Sequence, residues 1–491
     1  MRRSGILLHP TCLPGSPGVG DLGPAAHRWI EWLSTTGCGL WQILPLGPTG
    51  FADSPYQCFS AFAGNPYLIS PQALVAGGLL APSDLDGAPP ASGRVDFAAV
   101  IPWKLGLLDR AWDRFRAGAG DLDAMAAFRE REAAWLEDYT LFMAVKERHG
   151  GGAYTGWPEP IRTRRPEAVA TARHELAAEI DRHAFRQFLF SRQWQAVLDA
   201  AHDAGIAVIG DAPIFVAADS ADAWANPGLF RIDGSGHPTA VAGVPPDYFS
   251  ETGQLWGNPL YDWEEHARRG FDWWVARIGK LLEMHDIVRI DHFRAFADYW
   301  EIPAGAATAE TGRWVLGPGM ELFDALEQEL GPDLPIIAED LGELHDVVPA
   351  LLEASGLPGM RLAQFSLWPE DDHPRDWPEH SVGYTGTHDN QTTVGWYDYL
   401  PRQAQHQVRL SMSSDGSDIA WDLIRLVWES PAEMVLAPLQ DFLRLGDEAR
   451  MNLPGTVGPH NWTWRIPEGA LTGRLASAIT HLNAATGRSH R

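Results

Sequence analysis

Two hydrophobic periods alternate along the chain. In FSRQWQAVLDAAHDAG, Trp194, Val197, Leu198 and Ala201 fall at i, i+3, i+4 and i+7, one face of a helix that Gly205 stops. IAVIGD follows directly, a short apolar run ending at Asp211. The order recurs. DWWVARIGKLLEMH leads into DIVRID, ending at Asp291, and MELFDALEQELG leads through PDLP into IIAED, ending at Glu339. DVVPALLEASG leads into GMRLAQF, then SVGYTGTHD ends at Asp389 and EMVLAPLQD at Asp441. GILLHP and GLWQILPLGP add two buried runs near the N-terminus. Eight such strands alternating with helices predict a parallel sheet covered on both faces.

An open doubly wound sheet and a closed (β/α)8 barrel both satisfy that pattern. No G-x-G-x-x-G follows an early strand and no G-x-x-x-x-G-K-[ST] occurs, so no nucleotide site supports the open sheet. The barrel is the predicted fold. At 491 residues the chain far exceeds the ~250 of a minimal barrel. No flexible linker divides it, so residues 1–491 are expected to form a single barrel domain with insertions. Residues 50–190 are predicted to form a largely helical insertion after the second strand. Residues 212–270, rich in Pro, Gly, Asn and aromatics, are predicted to insert after the third. Both follow strand ends, the face of a barrel where loops build a groove.

A net charge of −26 argues against nucleic acid or an anionic membrane as partner. Cys12, Cys38 and Cys58 are odd in number and lack metal spacing, and they read as reduced thiols. The apolar run near the N-terminus, Gly5 to Leu8, is too short for a signal peptide. No stretch approaches the ~20 apolar residues of a membrane span. A cytoplasmic protein is expected. Of the 22 Trp, most are expected in the core, with some lining a groove where aromatic faces meet the C–H faces of sugars.

The stretch IVRIDHFRAF places Arg289, Asp291, His292 and Arg294 at the end of a hydrophobic strand. Alternate strand residues share a face, so Arg289 and Asp291 point into the barrel together and Ile290 points at the helices. An arginine beside an aspartate favours its ionised form, which suits a nucleophile. Asp291, Glu339 and Asp389 end strands four, five and seven of eight and face one pocket. Glycosyl transfer needs such a set: one carboxylate to attack the anomeric carbon, one to protonate the leaving oxygen, and charge to offset an oxocarbenium ion. Asp340 competes with Glu339, but neighbours on a strand face opposite sides.

RIDHFRAF, IIAEDLG and GYTGTHDN resemble the catalytic strand ends of the 4-α-glucanotransferases, or amylomaltases, relatives of the α-amylases. GILLHPTCLPGSPGVGDLG, DSPYQCFSAFAGNPYLIS, VAGVPPDYFSETGQLWGNPLYDW and RMNLPGTVGPHNWTWR extend the likeness over nearly the whole chain. The resemblance implies a retaining mechanism on α-1,4-glucans, with Asp291 as nucleophile, Glu339 as acid and base, and Asp389 holding ring hydroxyls. It implies that Arg289 orients Asp291, and that His292 and His388 donate to sugar hydroxyls. Asp211 is then a further substrate-site acid, Tyr56 a stacking residue, and Tyr248, Trp256 and Asn461 groove residues. Maltooligosaccharides, amylose or glycogen-derived glucans are the expected substrates, with no cofactor and no catalytic metal. The family lacks a β-sandwich after the barrel, and the chain ends soon after its last strand. Ala295 stands where the family usually has Gly. Asp389 is expected to weaken the acidity of Glu339 by its charge.

A hydrolase of the same clan would use the same residues, and the acceptor alone separates it from a transferase. A metal-dependent phosphohydrolase using the His-Asp pairs is disfavoured: the pairs are scattered, and Arg289 would repel a cation. A catalytically dead glucan-binding protein is disfavoured because all three acids are present.

Overall fold

The computed structural model describes residues 2–246, 251–342, 345–368 and 372–489. The strands are β1 (Arg3–Leu7), β2 (Leu40–Gln42), β3 (Ala207–Ala212), β4 (Ala240–Val244), β5 (Gln254–Pro259) and β6 (Ile287–Ile290). They continue as β7 (Asp298–Pro303), β8 (Arg313–Leu316), β9 (Ile336–Ala338), β10 (Gly359–Leu362), β11 (Ser381–Tyr384) and β12 (Met434–Pro438). Eight of them close a parallel barrel in the order β1-β12-β11-β10-β9-β6-β3-β2. These are the eight runs expected from the apolar pattern. The fold is a (β/α)8 barrel.

Strand alternation sorts the core into two layers. Leu40, Ile209, Ile287, Ile337, Met360, Val382 and Leu436 fill the barrel interior. Their neighbours Trp41, Val208, Ile290, Ala338 and Val435 join the larger cluster between strands and helices. Because Ile287 points inward, so do Arg289 and the following rim position, Asp291. Helix Asp272–Met284 closes against β3 through Gly210, where a Cβ would lie 2.4 Å from the His285 ring.

Between β2 and β3 the chain runs through helices, the last being Ala177–Asp203. The predicted boundary at residue 190 falls inside this helix of 27 residues. It contains neither Gly nor Pro, so nothing interrupts it. Trp194, Val197, Leu198 and Ala201 are all buried, as their spacing required, and Gly205 ends the run at φ 73°.

A second sheet stands beside the barrel mouth, with strands in the order β5-β4-β7-β8, all antiparallel. Its halves come from different places: β4 and β5 follow the third barrel strand, β7 and β8 the fourth. The sequence pattern assigned only the first of these to the groove. Among the described residues, no helix is long and apolar enough to cross a membrane.

Candidate active site

The mouth of the barrel gathers its carboxylates through register. Asp211 on β3 is the direct neighbour of Arg289 on β6, both pointing inward. Arg289 Nη1 lies 2.8 Å from each oxygen of Asp211, and Nη2 lies 3.1 Å from Asp291 Oδ1. The guanidinium is buried, while 27% of the Asp291 side chain stays open to the groove. Tyr56 donates its hydroxyl to Asp211 at 2.6 Å. Burial and the nearby Asp211 hold the Tyr56 phenol well above its ordinary range, so it keeps that proton.

The turn after Asp291 is strained. His292 has φ 54° and ψ 49°, a left-handed conformation that a non-glycine residue seldom adopts. The turn aims the His292 N–H at Glu339, which accepts it on Oε2 at 2.5 Å. The loop after β6 thus meets the loop after β9. Phe293–Phe296 then form a short 3-10 turn in which Ala295 is buried. Ala295 is absent from the residues with positive φ, so its Cβ is accommodated without a glycine conformation. Asp340 faces away from the pocket: it accepts from the Met360 N–H at 2.7 Å and from Arg361 at 3.1 Å.

Glu339 is pushed up to about 8, by burial first and by the charge of Asp291, against the pull of Arg289 and the His292 amide. Asp291 is also raised, to about 7, by burial and by Asp211 and Asp389. Arg289 pulls Asp291 toward its ionised form, as the sequence predicts, but burial and the two neighbouring carboxylates outweigh it. Glu339 is raised to the higher value of the two, and it is the better placed to carry a proton, since Arg289 touches Asp291 and no cation touches Glu339 among the described residues. The charge of Asp389 reaches Asp291 and is not among the leading influences on Glu339, contrary to the expectation for that residue.

Asp389 projects from the loop after β11 with 42% of its side chain exposed. Asn452 donates to its Oδ1 at 2.6 Å, and His388 Nε2 lies 3.3 Å from the same oxygen. Arg450 donates to its backbone carbonyl. The His388 ring stacks on Tyr56, centroids 5.0 Å apart and planes 11° from parallel. One face of Tyr56 is thus covered by His388. Trp256 on β5 meets the His292 ring edge-on at 4.9 Å. Burial lowers both His292, to about 3, and His388, so both rings are neutral near pH 7.

Asn461 spends both ends of its amide within its own loop, accepting from Leu453 N–H at 3.1 Å and donating to Thr456 O at 3.0 Å. It is a loop brace in this structure. Tyr248 lies outside the described residues. Asn452 and Arg450, which hold Asp389, went unnoticed in the sequence. Their signal was weak: a polar pair inside RMNLPG, with no period to place it. Among the described residues, no group of three or more His, Cys, Asp or Glu is placed to hold a metal ion.

A family model described as 4-alpha-glucanotransferase matches residues 8–472. A 4-alpha-glucanotransferase of Thermus thermophilus is 48% identical, with 99% of each chain covered. A chloroplastic/amyloplastic 4-alpha-glucanotransferase of Solanum tuberosum is 42% identical over 95% of this chain and 82% of its own. The amylomaltase of Streptococcus agalactiae, solved in complex with acarbose, superposes with a TM-score of 0.96 at 37% identity, both chains covered in full. With its barrel, its convergent carboxylates and this full-length likeness, the chain belongs to the 4-alpha-glucanotransferase family.

Proposed function

We propose that the groove transfers segments of α-1,4-glucan from a donor chain to the 4-hydroxyl of an acceptor sugar, by two displacements at one anomeric carbon. Asp291 attacks C1 as Glu339 gives its proton to the departing glycosidic oxygen. The C–O bond breaks, and a glucosyl ester forms on Asp291. Glu339, now ionised, then takes the proton of the acceptor 4-hydroxyl, whose oxygen displaces Asp291. The protein ends each cycle with the proton it began with, and two inversions leave the α configuration intact.

The observation that carries this reading is the division of labour between the two acids. Glu339 is raised above Asp291, and Arg289 contacts the one that must attack. Asp211 and Asp389 bring negative charge to the pocket, suited to the positive charge that spreads over C1 and the ring oxygen. Asp389 presents its free Oδ2 to ring hydroxyls while Asn452 and His388 hold Oδ1. Neutral His292 and His388 complete the set of hydroxyl partners. Maltooligosaccharides, amylose and glycogen-derived chains are the donors proposed.

Incubation with maltotriose tests the proposal. Glucose and chains longer than maltotriose should appear together. Accumulation of shorter sugars alone would mean that water, not sugar, is the acceptor.

A further inference from the structure

The eighth barrel strand ends near an acid that the proposed mechanism does not use. Asp441 lies beyond β12, in the short turn Leu439–Phe442, and is 1% exposed. No cation pairs with it among the described residues. Its carboxylate instead gathers three donors from a neighbouring loop. Thr385 donates its hydroxyl to Oδ2 at 2.6 Å. Thr393 donates its N–H to Oδ1 and its hydroxyl to Oδ2, both at 2.8 Å. Thr385 directly follows β11, and Thr393 opens helix Thr393–Tyr399. The segment between them carries His388 and Asp389. One carboxylate therefore draws together the two ends of the loop that presents Asp389.

The same turn holds the other side of Asp389. Gln440 donates to Ala449 O at 3.2 Å, and Leu445 N–H donates back to Gln440 O at 3.0 Å. That segment leads directly to Arg450 and Asn452, the residues that bind the Asp389 backbone and side chain. Asn452 N–H also donates to His388 O at 3.1 Å. The path from Asp441 thus reaches Asp389 twice, through its own loop and through its partners.

We infer that Asp441 is a positioning residue for the transfer reaction, fixing His388 and Asp389 by clamping the ends of the Thr385–Thr393 loop. The inference rests on the function proposed above and adds a residue that touches no sugar. A buried carboxylate suits the task, because it accepts from all three donors at once and cannot turn away without leaving them unpaired. Misplacing a substrate-contacting group by about 1 Å can cost on the order of 10²-fold in rate.

The test compares Asp441→Ala, Asp441→Asn and Thr385→Val with wild type, all well below their melting temperatures. Asparagine can still accept the Thr393 N–H and bond both hydroxyls. It should keep kcat/KM on maltotriose within about threefold. Alanine should lower it on the order of 10²-fold and weaken acarbose binding by calorimetry in parallel. Thr385→Val, which removes one arm and leaves the acid, should fall between them and stands in if the alanine variant fails to fold. A clamp that served stability alone would lower the melting temperature and leave kcat/KM and acarbose affinity per folded site unchanged. That result, in either Asp441→Ala or Thr385→Val, would overturn the inference. Wild-type maltotriose disproportionation, run alongside, reports separately on the proposed reaction.

Discussion

Arg289 serves two aspartates with one guanidinium: Nη1 lies 2.8 Å from both oxygens of Asp211, and Nη2 lies 3.1 Å from Asp291. A cation shared in this way holds neither acid as firmly as a dedicated partner would. Burial raises Asp291, Asp211 and Asp389 add to it, and Arg289 offsets them only in part.

Removing the competitor should therefore sharpen the nucleophile. In Asp211→Asn a negative neighbour of Asp291 disappears, so the folded pKa of Asp291 falls. The acid limb of kcat/KM, which requires ionised Asp291, should move to lower pH by about one unit. A pH–rate profile on maltotriose checks this. A limb that stayed in place would show that Asp211 does not govern the pair.

Asp291→Asn should keep the fold and lose at least about 10⁴-fold in kcat, because an amide cannot form the glucosyl ester. Its far-ultraviolet circular dichroism should match wild type. Peptide mass mapping of wild-type enzyme, quenched with a slowly released glucosyl donor, should find the adduct on Asp291. Finding it on another side chain would refute the assignment.

Asp389→Asn should lower kcat/KM by about 10³-fold through lost contacts in the transition state. Its effect on pH dependence should fall on the acid limb, which moves to lower pH as Asp291 loses a negative neighbour. The alkaline limb belongs chiefly to Glu339 and should hold its place. The profile of residual activity decides between the limbs, and a shift confined to the alkaline side would contradict the geometry described.

Glu339→Gln should be more stable than wild type, with a margin that depends on pH. The folded value near 8 lies above the ordinary 4.5, so the folded state binds this proton more tightly than the unfolded chain. The stability so contributed is complete below about 4.5 and is lost as pH rises through 8. Glutamine stays neutral throughout, so its advantage should grow from pH 6 to pH 9, reaching on the order of 1–3 kcal/mol. Calorimetric melting at several pH values gives the margin directly. A margin that is flat or shrinks with pH would show that Glu339 is not held protonated.

The barrel could be read from the sequence because every barrel strand is a short apolar run, most bounded by a helix stop or a terminal carboxylate. Asp291 and Glu339 were visible for the same reason: each directly follows a strand whose alternation dictates which way it faces, whereas Asp389 lies in the loop beyond β11, where no alternation reaches it. The second sheet left no such trace. β5 and β8 are partly exposed along most of their length, with burial patterns that alternate poorly, and β4 pairs with β7 across a full barrel strand. Pairing at that range has no local period. The left-handed turn at His292 was equally hidden, since it comes from the meeting of two loops. Asp441 was noticed as the end of a run, yet its partners Thr385 and Thr393 lie 56 and 48 residues away.

The β5-β4-β7-β8 sheet also bears on how this groove can be rebuilt. Its strands are drawn from two separate loops, yet they share one ladder, with Ala240 to Gly243 paired against Pro303 to Trp300. Grafting either loop alone from a relative would leave a bare two-stranded hairpin at the barrel mouth, with a raw edge open to pairing with another chain. Trp256 rides on that ladder and reaches the His292 ring, so slippage there would be felt beside Asp291. Chimeras meant to alter which glucans are accepted should exchange the two loops together.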